Sequence, residues 1–178
     1  MRIALAALLL LAGCSTAAVA PFLPSYRDQS VVIASKADFD PARYAGRWYE
    51  VARFPVPFQA GCAGAVAEYG PPAGGVLPLR NTCLRPDGAP GASIIGSARV
   101  AGPGRLSVRL AGVPFVAPYW VLWTDEGYRT AVVGQPDGRA GWILNREPDI
   151  PADRLRAALE VLAFNGYDTR GLVYATAP

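Results

Sequence analysis

AGRWYEVARFP, residues 45 to 55, is the stretch on which the fold turns. Successive side chains of a strand point to opposite faces, so Trp48, Glu50, Ala52 and Phe54 share one side while Tyr49, Val51 and Arg53 share the other. Neither face is purely apolar. A sandwich strand would alternate cleanly between apolar and polar residues, whereas this one suits a sheet with both faces partly covered. One face looks into something other than a packed core.

Outward from this stretch the punctuation is regular. Candidate strands fall at about 46–54, 63–70, 76–84, 92–100, 105–111, 118–124, 127–134 and 140–146, separated by PP, GG, PDG, GPG and DEG turns. Such spacing predicts an antiparallel sandwich or barrel. FDPARYAG at 39 to 46 reads as a short helical turn ahead of the first strand. In DIPADRLRAALEVLAFNG, 149 to 166, Leu155, Ala158, Leu159 and Leu162 recur at helical spacing, and Gly166 suits the C′ position. This predicts one amphipathic helix lying on the sheet, with Arg154 and Glu160 toward water. GLVYA at 171 to 175 follows as a short final strand.

Composition narrows the function. The 178 residues hold 17 basic and 14 acidic side chains, without the concentrated basic stripe that nucleic-acid binding needs. There is no histidine, which removes the commonest general base and metal ligand. The single methionine is the initiator, so a His/Met haem site is excluded as well, and no cofactor is expected.

The N-terminus, MRIALAALLLLAGC, carries Arg2, an apolar run too short to span a bilayer, and small residues before Cys14. It reads as a signal peptide over residues 1–13. Leu11-Ala12-Gly13-Cys14 resembles the lipobox of bacterial lipoproteins, in which the cysteine is acylated and becomes the mature N-terminus. The alternative is an ordinary signal peptide cleaved nearby. Residues 14–38, with Pro21 and Pro24 and no sustained period, read as the acylated terminus and a tether; 39–178 form the folded domain. Cys62 and Cys83 then remain as an even pair in an oxidising compartment, near the open end of a hairpin around GPPAGG at 70 to 75. A disulfide between them is expected, with two buried free thiols as the alternative.

The order of eight strands, helix and strand, opened by Gly46-x-Trp48, resembles the lipocalin family. Gly46-Arg47-Trp48-Tyr49-Glu50 looks like its first signature. Thr124-Asp125 with Tyr128 is similar to the second, with two residues inserted before the tyrosine, and Arg146 in WILNREP looks like the third. The similarity extends to bacterial outer-membrane lipocalins and to apolipoprotein D. It implies an all-β, eight-stranded antiparallel up-and-down barrel with one C-terminal α-helix and a short final strand. It also implies structural roles for Gly46, Trp48 and Arg146, the arginine packing over the indole to close the bottom of the barrel.

An eight-stranded barrel of this family can hold one small ligand, so its inward rows become pocket lining. Parity from Trp48 sends Glu50, Ala52 and Phe54 inward, and parity from Arg146 sends Leu144 and Trp142 inward. Tyr119, Val121 and Trp123 share a face, as do Ala65, Ala67 and Tyr69. Ligand contacts are therefore expected from Glu50, Ala52, Phe54, Tyr69, Tyr119, Val121, Trp123, Trp142 and Leu144. A buried Glu50 needs a partner, Arg129 or a tyrosine, and serves either as a structural carboxylate or as a polar anchor in the pocket.

The function these readings support is a lipid-anchored carrier or store of a fatty acid or lysophospholipid, on the periplasmic face of the outer membrane. Its partners are that ligand and the membrane, with no nucleic acid and with room for a homodimer. The alternatives are a lipocalin-like enzyme acting on a small hydrophobic substrate, for which no nucleophile beside a base is visible, and a structural lipoprotein with a filled barrel.

Overall fold

Short β-branched and aromatic runs broken by glycine turns leave the chain little choice but hairpins, and hairpins added edge to edge close into a barrel. The computed structural model describes residues 24–176; residues 1–13, read as a signal peptide, and Cys14 lie outside the described residues. A single helical turn, α1 (Pro41–Tyr44), precedes β1 (Gly46–Arg53), β2 (Gly64–Tyr69), β3 (Val76–Leu84), β4 (Pro90–Gly102), β5 (Arg105–Leu110), β6 (Val116–Thr124), β7 (Thr130–Gly134) and β8 (Gly141–Asn145). The helix α2 (Ala152–Phe164) and the short β9 (Val173–Tyr174) complete it. Each strand pairs antiparallel with the next, and β1 closes the barrel by pairing with both β2 and β8. β9 bonds to β1 outside the closure.

The barrel has a closed end, where β1 begins, and an open end, where the loops 54–63, 85–89, 111–115 and 135–140 lie. Two apolar clusters stand on either side of its wall. The inner one gathers Trp48, Tyr44, Tyr69, Leu77, Leu106 and Val121 with their neighbours. The outer one packs Ala158 and Leu162 of α2 against Ala52, Phe54, Val132 and Ile143. Arg154 does not point to water: its guanidinium donates to Thr130 Oγ1 (3.0 Å) and Asn145 Oδ1 (3.1 Å), joining helix to sheet.

Two bulges decide which side chains face inward. On β1, Glu50 opposes Leu144 but Ala52 opposes Ile143, so Val51 is an extra residue and the alternation reverses beyond it. Ala52 and Phe54 therefore lie outside, under α2. On β6, Val121 opposes Val133 but Trp123 opposes Val132, and the same reversal moves Trp123 to the outer cluster. Simple parity from Trp48 fails for this reason.

Residues 24–38, within the segment read as a tether, cross the outside of the barrel from the open to the closed end. Tyr26 donates its amide to the Gly138 carbonyl (2.8 Å) and stacks on Phe54 at 4.9 Å; Lys36 donates to Val121 O (2.8 Å). Arg27 is buried, its guanidinium donating to the carbonyls of Asn165 (2.7 Å), Pro136 (3.1 Å) and Val31. Isolated bonds of this kind impose no repeat on the sequence, so no periodicity revealed them. Gly104 makes the crossing tight: its φ is +62°, and a Cβ there would stand 2.7 Å from the Lys36 backbone.

Candidate functional site: a blind cavity in the barrel

The closed end is built by the three sequence signatures acting together. Trp48, fully buried, donates its indole N–H to Tyr44 O (2.8 Å), and the Arg146 guanidinium lies over the ring at 3.7 Å. That guanidinium also donates to the carbonyls of Arg47 (2.8 Å), Arg43 (2.8 Å), Ala45 (2.9 Å) and Tyr128 (3.2 Å). Gly46 has φ +103°, and a Cβ there would meet Arg146 Nη1 at 3.0 Å, so a side chain would push the arginine off the indole. Tyr128, at φ 54°, turns its hydroxyl to accept from the Asp40 amide (2.8 Å), while Asp125 accepts from Thr130 N (2.7 Å) and Arg129 Nε (2.8 Å). The residues inserted before Tyr128 are accommodated in this turn.

Above the indole lies a layer of tyrosines. The Tyr44 and Tyr119 hydroxyls are 2.8 Å apart, and the Tyr44 and Tyr69 rings meet at 5.1 Å. Burial pushes the Tyr44 and Tyr119 hydroxyls well above the ordinary phenol range and Tyr69 up to about 12. These groups stay protonated at physiological pH, so they form a neutral polar floor and not a base.

Beyond this floor the inner face changes to small and aliphatic residues, and a cavity of about 180 Å³ opens. Ala65, Ala67, Leu79, Val108, Leu110 and Leu144 line its walls, with Phe58 and Phe115 at its mouth. Of the residues expected from the sequence to contact a ligand, Glu50, Tyr69, Tyr119, Trp142 and Leu144 line this cavity. Val121 faces the barrel interior but is buried in the inner cluster, while Ala52, Phe54 and Trp123 are outside.

Glu50 is paired, though not with Arg129 or a tyrosine. Its carboxylate accepts from Arg53 Nη1 (2.6 Å) and Gln59 Nε2 (2.6 Å); Gln59 Oε1 accepts from Trp142 Nε1 (3.0 Å), and Arg53 Nη2 donates to Cys62 O (2.9 Å). Burial pushes the Glu50 carboxyl above its usual range, opposed by the Arg53 charge and the Gln59 hydrogen bond. Arg53 reaches Glu50 because the bulge at Val51 returns it to the inner side. Gln59 comes from the loop 54–63, which carries the 3₁₀ turn Pro57–Gln59, and no strand pattern marks it. A buried carboxylate with an arginine three residues on was the available signal. The Cys62–Cys83 disulfide, with Cα atoms 5.4 Å apart, ties this loop to the end of β3, Cys62 lying just before β2 and not in it. On the opposite wall, Asn81 lines the cavity, and its buried side-chain oxygen has no hydrogen-bond partner among the described residues.

A closed eight-stranded barrel with a helix on its flank, an arginine-capped tryptophan at one end and an apolar cavity toward the other defines a binding protein of the lipocalin type. The family model for the lipocalin-like domain matches residues 39–177, and the chain belongs to the lipocalin family. Lipocalins bind small hydrophobic ligands and are typically not enzymes. The chain is 33% identical to the outer membrane lipoprotein Blc of Escherichia coli K12 over 143 residues, covering 79% of this chain and 81% of that one. It is also 33% identical to apolipoprotein D of Oryctolagus cuniculus, over 74% of this chain and 73% of that one. Insecticyanin of Manduca sexta superposes with a TM-score of 0.65 at 21% identity, over 86% and 87% of the two chains, which shows the shared fold.

Proposed function

We propose that this lipocalin is acylated at Cys14, anchored to the periplasmic face of the outer membrane, and holds a single-chain lipid, a fatty acid or lysophospholipid, in its barrel. The observation that carries this reading is the blind apolar cavity. At about 180 Å³ it lies below the roughly 300–1,000 Å³ of pockets for drug-sized molecules, which suits a narrow acyl chain better than a fused-ring pigment. Each methylene drawn in contributes about 0.8 kcal/mol, against association costs of ~4–15 kcal/mol, so affinity should rise gradually with chain length. The unpartnered Asn81 oxygen favours a ligand bearing a hydroxyl donor, which a lysophospholipid has and a fatty-acid anion lacks. A catalytic role has little to draw on: the sequence has no histidine, and the buried tyrosines are held neutral.

The resemblance of residues 11 to 14 to a lipobox and the similarity to Blc support the anchor. Two acyl chains or more hold a protein on a bilayer stably where one does not. Native mass spectrometry of protein extracted from membranes should show one copurified single-chain lipid per barrel, and Cys14→Ser should leave the membrane fraction. An empty barrel indifferent to added lysophospholipid and fatty acid overturns the ligand reading; a membrane-bound Cys14→Ser overturns the anchor.

A further inference from the structure

The open end exposes large apolar side chains that the core does not bury. Phe58 is 59% exposed, Phe115 66%, Ile95 55% and Val116 44%, and Phe58 and Phe115 border the cavity mouth. They are held outward. Phe58 sits in the 3₁₀ turn between Pro57 and Gln59; with Gln59 pinned inward on Glu50, Phe58 stays at the rim, its ring 6.5 Å from that of Trp142 and most of its surface open to solvent. The loop is also fastened by the disulfide.

Charge divides the same way. Loops 54–63 and 111–115 contain no charged residue. In the other two open-end loops, Asp87 faces Arg85 at 3.5 Å and Asp137 faces Arg139 at 3.7 Å, so each acid is offset locally. Exposed Arg109 stands in register with Val116 below the rim, where it can meet a lipid phosphate. The closed end carries six acidic residues against three arginines in 37–45, 125–129 and 146–149; Asp38 and Asp125 are paired with Lys36 (2.7 Å) and Arg129 (2.8 Å), and Glu126, Glu147 and Asp149 leave an acidic excess there.

The start of the described chain lies at this apolar end. Pro24 shares a groove with Pro55, Pro57 and Gly61, and Tyr26 is bonded to Gly138 and Pro55 of the open-end loops. From Cys14 to Pro24 the chain reaches at most about 35 Å when fully extended. An anchor at Cys14 thus joins the domain beside the mouth, at the end away from the acidic loops.

We infer that the rim formed by Phe58, Phe115, Val116 and Ile95 docks on the lipid bilayer, so that the cavity opens directly onto the membrane and a single-chain lipid passes between leaflet and barrel without crossing water. This orientation rests on the anchored lipid-carrier reading above. A long acyl chain is poorly soluble as a monomer, and a mouth sealed against the leaflet removes that aqueous step.

The test places an environment-sensitive NBD label on Phe115→Cys or Glu126→Cys of the full mature lipoprotein, mixed with phosphatidylethanolamine/phosphatidylglycerol vesicles containing shallow nitroxide lipids. Near-ultraviolet circular dichroism checks that each variant is folded, and both sites are exposed. NBD at 115 should be quenched at least about threefold more than NBD at 126, and adding Phe58→Glu should reduce the difference. Equal quenching in protein that floats with vesicles overturns the rim contact while leaving the anchor standing. Protein that fails to float overturns both. A stable dimer in which the label at 115 is shielded from aqueous and lipid quenchers alike would mean that a second copy covers the rim, and would also overturn the proposal.

Discussion

The two ends of one barrel are made from the same pleated strands and do opposite things. At the closed end, large aromatics meet above a guanidinium whose donors are taken up by backbone carbonyls, and the interior is filled. Toward the open end, alanines at 65 and 67 stand where aromatics would be needed to fill the same radius, and a cavity remains. The difference shows that a barrel becomes a container through the size of a few inward side chains and not through its topology.

The largest effect expected from breaking this contrast is at the plug. Trp48→Ala should cost about 3–5 kcal/mol of stability as a large core truncation. Arg146→Ala should cost less, and the pair should be non-additive in a denaturant double-mutant cycle, because both changes remove the same contact. Additivity within ~0.5 kcal/mol would show that the stacked geometry carries no coupling.

Next comes the staple of the open end. Cys62 and Cys83 are separated by 21 residues, a loop for which a disulfide contributes about 3 kcal/mol. The double serine variant should lose about that much in chemical denaturation. It should also gain amide exchange in loop 54–63, where Gln59 is positioned, while the closed end keeps its protection.

A pair of equal enlargements on opposite sides of the wall sharpens the comparison further. Ala52 is fully buried under α2, so Ala52→Phe should overpack the outer cluster at ~1–3 kcal/mol and leave affinity for a fluorescent fatty acid nearly unchanged. Ala67→Phe, inside the cavity, should reverse this, with affinity falling about tenfold or more and little loss of stability. If both variants lose stability alike, the inner face is packed and the container reading fails.

The smallest effect concerns protons. Because burial raises the folded-state Glu50 carboxyl above the ordinary glutamate range, the folded chain holds this proton longer than the unfolded chain. Glu50 therefore favours folding most at pH below about 4.5, and its contribution declines as pH rises through the raised value. A carbon-detected NMR titration should find Glu50 above 4.5 and exposed Asp168, held by Arg170, at about 2. Removing the opposing charge with Arg53→Met should move Glu50 higher still; a downward shift would mean that the pair does not couple as drawn.

Much of the molecule was legible in the chain. The eight strands lie within a few residues of their expected places because glycine and proline turns are local chemistry, and α2 appeared because its stripe has helical period. The plug was legible through its resemblance to family signatures, since Gly46, Trp48, Tyr128 and Arg146 act within a few ångströms of backbone that those signatures themselves form. The cavity was only half legible. Trp142 and Leu144 were placed correctly by counting from Arg146 along the regular β8, while Ala52, Phe54 and Trp123 were not, because β1 and β6 each carry one extra residue opposite their partners.

A bulge is a property of two paired strands, so no count along either one can reveal it; the partner's register decides. The same holds for Glu50, whose sequence announced a costly buried charge, while the fold alone supplied Arg53 by reversing the strand and Gln59 by folding a loop back over it. Local rules determined where this chain turns and which segments pair. Only the closed tertiary structure decided which side of the wall each side chain meets, because that choice depends on contacts between residues far apart in sequence.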